Sequence, residues 1–260
     1  FGSGAYTVNV ALGGIEFGSS GDVTGSSGQI DNFGHVVFNN TNVSSNSVTL
    51  NMNANKDFDG NGSYPDVNIP SGVTSYIDGV VSITDKLTGA GSLVIRGGDT
   101  LSIGATGSDF SLTDLDFGNA NTTVNYNGNG DQTLIAGNYK NLGLGGSGTK
   151  TMTGIDTIVL DFDISGTATA TTADNFTIRG NFTSGAGSTF NIGSDYTLEI
   201  RGTSSISGSV VNSGTAKKEY WGNVTINSGG SFTNPGNSDL YFEGDFTDNT
   251  NETVSFGTNN

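Results

Sequence analysis

The chain has 260 residues, a net charge of −16, 42 glycines, three prolines and no cysteine. The missing cysteines exclude disulfides, thiolate metal sites and cysteine nucleophiles, and the negative charge repels nucleic acid and anionic membrane surfaces. No stretch of the sequence approaches the ~18 apolar residues of a membrane-spanning helix, so we expect neither nucleic-acid binding nor membrane insertion.

The composition also predicts the fold class. Hydrophobic residues make up only 33% of the chain, which disfavours one large round core, but 15 Phe and 8 Tyr are too many for a disordered chain. Most of the remaining residues are Gly, Ser, Thr, Asn and Asp, which favour turns and exposed strands, and good helix formers are scarce. We therefore predict an all-β protein.

The first predicted element is a strand near the beginning of the chain. It follows the flexible segment Gly2-Ser3-Gly4, and its alternation gives it one apolar stripe, formed by Tyr6, Val8, Val10 and Leu12. Such a strand can add to the open end of a neighbouring subunit, and because the two ends of the chain differ, repeated addition would give a head-to-tail filament. Residues 1–75 do not follow the repeat described below. We predict that they form an irregular or assembly-related N-terminal β region before a repetitive domain at 76–260.

Residues 57–66 carry the most specific local motif of the sequence. They read Asp-Phe-Asp-Gly-Asn-Gly-Ser-Tyr-Pro-Asp and match the oxygen-rich start of a calcium-binding loop. The motif predicts a Ca²⁺ ion bound by Asp57, Asp59, Asn61 and Asp66. A solvated turn is the alternative interpretation, because Asn68 stands where such loops carry a bidentate Glu and no helices are predicted on either side.

A repeat of about 21 residues runs from residue 97 onward. It is marked by glycines that follow apolar runs or precede Asn, and the one gap of 43 residues corresponds to two units; the marking residues are Gly97, Gly118, Gly137, Gly180, Gly202, Gly222 and Gly244. Short alternating strands joined by corners of Gly and Asn, which tolerate positive φ angles, are typical of a β-solenoid similar to a parallel β-helix. β-Sandwich modules are the alternative, although their turns need not recur in phase.

The phase of the repeat predicts a column of exposed residues. Arg179, Arg201, Trp221 and Glu243 each directly precede a repeat glycine, so we expect them at the same position of consecutive coils. In this column we predict that Arg179 reaches toward Glu199 and that Arg201 covers Trp221 in a cation–π contact. Trp221 is expected to cover a coil edge rather than to bind a sugar.

Several motifs of the second half of the chain recur in a known class of proteins. They are Asn125-Tyr126-Asn127-Gly128, Asp131-Gln132-Thr133, Asn138-Tyr139-Lys140-Asn141-Leu142, Gly145-Gly146-Ser147-Gly148-Thr149-Lys150-Thr151, Gly180-Asn181-Phe182-Thr183 and Gly222-Asn223-Val224-Thr225. With these motifs, residues 90–256 resemble the long, repetitive surface proteins that gliding and related bacteria export by type IX secretion. The resemblance implies export, residence at the cell surface or outside the cell, and an adhesive or scaffold role. It carries over no catalytic residues.

Few residues of the sequence suggest catalysis. Asp114 with Asp116, and Asp161 with Asp163, are spaced for one exposed strand face, as in solenoids that cleave acidic polysaccharides, but no basic residues cluster near them. We interpret both pairs as a solvated acidic ladder. A zinc site or catalytic triad would have to be built around the single histidine, His35, so we interpret His35 as a strand-edge residue.

Two Thr-rich segments, 149–153 and 167–171, are compatible with a flat ice-binding face. That function needs outward Thr pairs on many successive coils, whereas other coils are expected to point Glu199, Arg201 and Glu243 outward, so we do not favour it.

Together these patterns predict an extracellular bacterial structural protein without enzymatic activity. It would be a subunit or segment of a surface filament, stalk or adhesin that assembles head-to-tail with other copies of itself and contributes to cell adhesion. The alternative is a solenoid that binds or degrades carbohydrate, such as a fibre module, with a surface polysaccharide as its partner.

Overall fold

The computed structural model describes residues 62–69, 71–118, 121–250 and 254–256, and before them the strand segments 15–16, 23–24, 36–37, 49–51 and 56–59. The chain is nearly all β, and its parallel strands stack as a β-solenoid of about nine turns with about 20 residues per turn, which confirms the predicted fold class. Within these residues the helical structure is one 3₁₀ turn, Gly107–Asp109, and no helix has the length and apolarity needed to span a membrane. The chain divides into two compact units, Phe1–Thr122 and Thr123–Asn260.

The described part of the first unit contains the strands β1 (Ile15–Glu16), β2 (Val23–Thr24), β3 (Val36–Val37), β4 (Thr49–Asn51), β5 (Lys56–Asp59), β6 (Gly62–Asn68), β7 (Thr74–Asp78), β8 (Val80–Thr88), β9 (Ser92–Ile95), β10 (Thr100–Ile103) and β11 (Asp114–Asp116). They are paired in the orders β1-β3, β2-β4-β6-β8-β10 and β5-β7-β9-β11. Partner residues are 27 apart in sequence between β2 and β4 but 17 apart between β4 and β6. This variable coil length explains why the sequence before residue 75 could not be phased with the repeat. The predicted boundary at residue 75 falls inside β7, which pairs with both β5 and β9.

The described part of the second unit contains the strands β12 (Thr123–Tyr126), β13 (Gln132–Thr133), β14 (Asn141–Leu144), β15 (Thr149–Met152), β16 (Thr157–Ile158), β17 (Phe162–Ile164), β18 (Thr169–Thr172), β19 (Phe176–Ile178), β20 (Phe182–Ser184), β21 (Thr189–Ile192), β22 (Leu198–Ile200), β23 (Ser204–Ile206), β24 (Ser209–Asn212), β25 (Lys218–Tyr220), β26 (Val224–Ile226), β27 (Ser231–Thr233), β28 (Leu240–Phe242) and β29 (Phe246–Asp248). Three parallel sheets result, with the orders β12-β14-β17-β20-β23-β26-β29, β13-β15-β18-β21-β24-β27 and β16-β19-β22-β25-β28. Each full coil therefore contributes one strand to each sheet.

The core of the second unit lies between these three sheets. Inward residues alternate with outward ones along each strand, as the sequence pattern predicts. Four phenylalanines from two consecutive coils fill its middle with ring centroids 5.2–6.0 Å apart: Phe162, Phe176, Phe182 and Phe190. The apolar segment 158–164 is not one strand, since β16 ends at Ile158 and β17 begins at Phe162. The residues between them form a corner.

Candidate functional site

One corner of the second unit explains the Gly-Asn repeat. Gly180, Gly202, Gly222 and Gly244 lie directly above one another, and none of them has a positive φ angle in the left-handed region. A Cβ atom on Gly202 would lie 2.5 Å from the carbonyl carbon of Gly180, and one on Gly222 would lie 2.5 Å from that of Gly202. The predicted positive φ is found at the repeat glycines Gly97, Gly118 and Gly137 but is wrong for the four glycines of this column. This column needs glycine because successive backbones approach too closely for any side chain.

The residue after each of these glycines links one coil to the next. Asn181 Oδ1 accepts a hydrogen bond from the backbone N–H of Thr203 at 3.0 Å, and Asn223 Oδ1 accepts one from the backbone N–H of Asp245 at 3.0 Å. One coil earlier, Asp161 Oδ1 accepts the N–H of Asn181 at 2.7 Å. Each side chain satisfies a corner donor that the sheets leave unpaired. The Gly-Asx pair is thus a stacking motif: glycine permits the approach and Asx bonds the coils together.

The repeat phase is confirmed from Gly180 to Gly244 but is wrong at Gly137. Going backward, Gly180 N–H donates to the carbonyl of Leu160 at 2.9 Å and Leu160 N–H donates to that of Lys140 at 2.8 Å. Leu160 therefore fills the position that the sequence leaves without a glycine. Gly137 lies three residues before Lys140, the column position of that coil, and the buried Tyr139 stands between them.

A lysine is buried inside the first coils of the second unit. Lys150 lies in β15 with no exposed surface, and its ammonium group donates to Gly128 O at 2.8 Å, Gly130 O at 3.0 Å and Gln132 Oε1 at 2.6 Å. Burial lowers the pKa of Lys150 to about 8, partly opposed by the negative charge of Asp131. Its three donors have three acceptors, so the side chain fixes the 128–132 turn.

A second buried lysine, Lys218 in β25 of the adjacent sheet, repeats this arrangement. Lys218 donates to the carbonyl of Tyr196 at 2.6 Å and to that of Ala216 at 2.8 Å, and burial lowers its pKa while Asp195 opposes the shift. Both lysines bond to carbonyl groups of loops. We interpret them as structural.

Three buried tyrosines form further polar contacts in the core of the second unit. Tyr126 and Tyr139 share a hydrogen bond of 2.8 Å between their hydroxyls, and Tyr220 donates to Asn212 Oδ1 at 3.0 Å. Burial raises the pKa of Tyr126 to about 12 and also raises the pKa values of Tyr139 and Tyr220. These phenols stay protonated at neutral pH and hold loops against the core.

The Thr-rich segments lie on one sheet, whose outward side chains from β15 to β27 are uncharged. Strands β15, β18, β21, β24 and β27 point short side chains outward in two columns, Thr149-Thr169-Thr189-Ser209-Ser231 and Thr151-Thr171-Asn191-Val211-Thr233. The sequence analysis argued against an ice-binding face because charged residues would interrupt the Thr columns. That argument was wrong, since Glu199, Arg201 and Glu243 belong to a different sheet.

The sheet formed by β16, β19, β22, β25 and β28 carries the charged face of the second unit. We define this face as the outward residues of β19, β22, β25 and β28 and of the residues directly before and after these strands.

The predicted column of Arg179, Arg201, Trp221 and Glu243 is confirmed. The backbone N–H of Arg201 donates to Ile178 O, that of Trp221 to Ile200 O, and that of Glu243 to Tyr220 O, at 2.8–2.9 Å. Consecutive members therefore stand one strand apart.

The side-chain predictions for this column were wrong. Arg201 Nε donates to Glu199 Oε1 at 2.8 Å, two residues back in its own coil, and does not cover Trp221. Arg179 has no ion-pair partner in the part of the chain that the structure describes. Trp221 is 51% exposed. The sequence analysis also missed Tyr241, which is 48% exposed and lies in register with Glu219. Its outward direction could have been predicted, because it lies between the inward residues Leu240 and Phe242.

The last described coil, residues 240–256, exposes part of its core layer. Phe242, Phe246 and Phe256 contact one another with ring centroids 5.0–6.0 Å apart, and all three are half-buried. One coil earlier, Tyr220 and Val224 occupy the positions of Phe242 and Phe246 and are only 1% exposed. We call these three phenylalanines the end layer.

The predicted acidic pairs do not form a constellation for catalysis. Asp114 and Asp116 are exposed on β11. Asp163 is exposed on β17, where its in-register neighbours are Gly143 and Thr183, whereas Asp161 serves the corner ladder. Across the described residues, no three His, Asp or Glu side chains are grouped to hold a metal ion.

The remaining predicted sites lie outside the described residues. Asp57 and Asp59 fall in β5 and Asp66 in β6, but their side chains and all of Asn61 are outside, so the calcium site stays a prediction. The donor strand with Tyr6, Val8, Val10 and Leu12, and also His35, lie outside as well.

Comparisons with known proteins give no further guide: no protein-family model, curated protein or solved structure matches the chain.

Proposed function

We propose that the protein is a structural building block of a bacterial surface filament, stalk or adhesin, located outside the cell, in which coils of successive copies stack head-to-tail. The observation that carries the proposal is the regular parallel stacking of coils in the second unit, and the end layer is the surface on which a further coil would stack. Its three phenylalanines are half-buried, and the strands that bear or border them, β28 and β29, are the last of their sheets in the described chain.

A coil that continues the stack, whether of this chain or of a second copy, would bury the end layer. The preceding layers are buried by a coil of the same design, paired in parallel and in register at each strand. Strand edges offer unpaired N–H and C=O groups, and a slice of aromatic core beside them favours another β coil over water. The predicted donor strand, with apolar residues at every second position from Tyr6 to Leu12, has the pattern of such a cover.

The other features of the second unit support a structural role. Corner ladders, three parallel sheets and buried lysines and tyrosines all serve the stacking of coils. Repeat units of this kind are stabilised mainly by contacts with their neighbours, which suits a protein that extends by addition of further coils.

Sedimentation velocity with a matched pair of variants tests the proposal. Intact protein should form a concentration-dependent series of oligomers. Phe246→Lys places a charge in the end layer and should shift the distribution to monomers, whereas Thr247→Lys places the same charge on the exposed side of the same strand and should not. Deletion of residues 1–13 should also shorten the oligomers.

Circular dichroism confirms that each variant is folded. Intact protein that remains monomeric at high concentration, or folded variants that both assemble like the parent, would contradict the proposal.

A further inference from the structure

The charged face presents two exposed aromatic residues side by side. Among the described residues, the large hydrophobic side chains that are strongly exposed are Val80, Trp221 and Tyr241, and the last two lie on consecutive coils of this face. Tyr241 is in register with Glu219, and Trp221 with Glu243, so the two aromatics are diagonal neighbours. A strand spacing of ~4.8 Å and a rise of ~3.3 Å per residue place their Cα atoms about 8 Å apart.

Hydrogen-bonding side chains surround this aromatic pair. Lys217 Nζ is 3.0 Å from Glu219 Oε1 and 5.8 Å from the centre of the Tyr241 ring. Arg201, in the coil before Trp221, uses Nε to bond Glu199. The ion pairs hold these side chains in place and leave further N–H groups and carboxylate lone pairs directed to solvent.

The charge of the face differs from that of the whole chain. The chain carries −16, but around the aromatic pair three cations stand against four anions: Arg179, Arg201 and Lys217, with Glu199, Glu219, Asp239 and Glu243. Two of the cations are already paired with carboxylates. The face therefore has no net attraction for a polyanion or a polycation.

These features select one class of ligand. Isolated aromatic rings flanked by hydrogen-bond donors and acceptors suit a sugar, whose C–H face packs on a ring while its hydroxyl groups bond to the rim. The apolar area is split between two rings, whereas a stable protein interface buries a continuous apolar core. We infer that the charged face binds a neutral polysaccharide, with Trp221 and Tyr241 as stacking residues and Arg201, Lys217, Glu199 and Glu219 as hydrogen-bonding groups. This site is separate from the end layer, and its test does not depend on assembly.

Trp221 is the only tryptophan of the chain, so its fluorescence reports on this face alone. Intact protein is titrated with galactomannan, xyloglucan and dextran as neutral polymers and with alginate as a polyanion. At least one neutral polymer should shift the emission to shorter wavelength and protect it from acrylamide quenching, and alginate should not.

Affinity electrophoresis in gels containing the same polymers extends the test to variants that lack the tryptophan. Trp221→Ala and Tyr241→Ala should each weaken retardation about tenfold or more, as loss of an aromatic anchor does. Val80→Ala, which removes an exposed apolar side chain from the other unit, should have no effect. The inference is overturned if no neutral polymer retards the intact protein, if the two aromatic variants are retarded like the parent, or if alginate binds best.

Discussion

Replacement of Gly222 by alanine should destabilise the second unit through the corner ladder. The new Cβ would overlap the carbonyl oxygen of Gly202 and would lie 2.5 Å from its carbon and 2.9 Å from the nitrogen of Thr203. Ordinary contacts between carbon atoms are about 3.5–4.0 Å, so the two coils would have to separate by about 1 Å. Hydrogen bonds of 2.8 Å on both sides of the corner, Trp221 N to Ile200 O and Ser204 N to Asn223 O, oppose that separation.

Overpacking of this kind costs about 1–3 kcal/mol, which lowers Tm by roughly 2–10 °C for a unit of this size. Calorimetry or circular dichroism measures the change. Gly98→Ala is the matched control, because its Cβ would meet only Asn121 O at 3.9 Å and its φ angle is not in the left-handed region. Gly244→Ala, in the last described coil, should cost less than Gly222→Ala, since that coil is held from one side. If Gly222→Ala is tolerated as well as Gly98→Ala, close backbone approach is not the reason for the repeat glycines.

Four further predictions concern buried groups and calcium. Ser204→Ala should raise the free energy of unfolding by about 1 kcal/mol in urea titrations, because Ser204 Oγ is buried without a hydrogen-bond partner in the described structure. Above pH 10 the unfolded chain releases the Tyr220 proton while the folded chain keeps it, so stability falls as pH rises; Tyr220→Phe should make the measured slope smaller by up to about 1.4 kcal/mol per pH unit. The lowered pKa of Lys150 has the opposite effect: between pH 8 and pH 10 the unfolded chain binds more protons, so stability should rise with pH. Lys150→Met should reduce that rise, to which the lowered pKa of Lys218 also contributes. If the predicted calcium site exists, millimolar Ca²⁺ should raise Tm in thermal scans, and Asp57→Ala combined with Asp59→Ala should remove the effect; an unchanged Tm supports the solvated turn.

The sequence predicts the solenoid because its outward and inward residues alternate and its corners recur. The sequence predicts burial less well where an inward position carries a polar or charged residue. The strand Thr149–Met152 resembles an exposed Thr-rich edge, yet its inward positions are Lys150 and Met152. A buried lysine is predictable only from the acceptors that the fold brings to it, and two of those are backbone carbonyls of the 128–130 turn, which leave no mark in the sequence.

The sequence did not predict the candidate binding face for a related reason. Phase alone places Arg179, Arg201, Trp221 and Glu243 in one column, and the structure confirms it. Which neighbours pair within that column depends on side-chain geometry: Arg201 reaches Glu199 in its own strand more easily than a ring on the next coil. Trp221 is left exposed as a result, and its neighbour Tyr241 becomes significant only when both coils are stacked.

The most direct test of the structural role is a cryo-electron microscopy map of the assembled protein. The proposal predicts fibres in which the ~4.8 Å strand spacing continues without a break from one copy to the next, with Phe242, Phe246 and Phe256 covered by a parallel coil of the neighbour. Fibres or particles in which copies meet through another surface and the end layer remains open to solvent would contradict it.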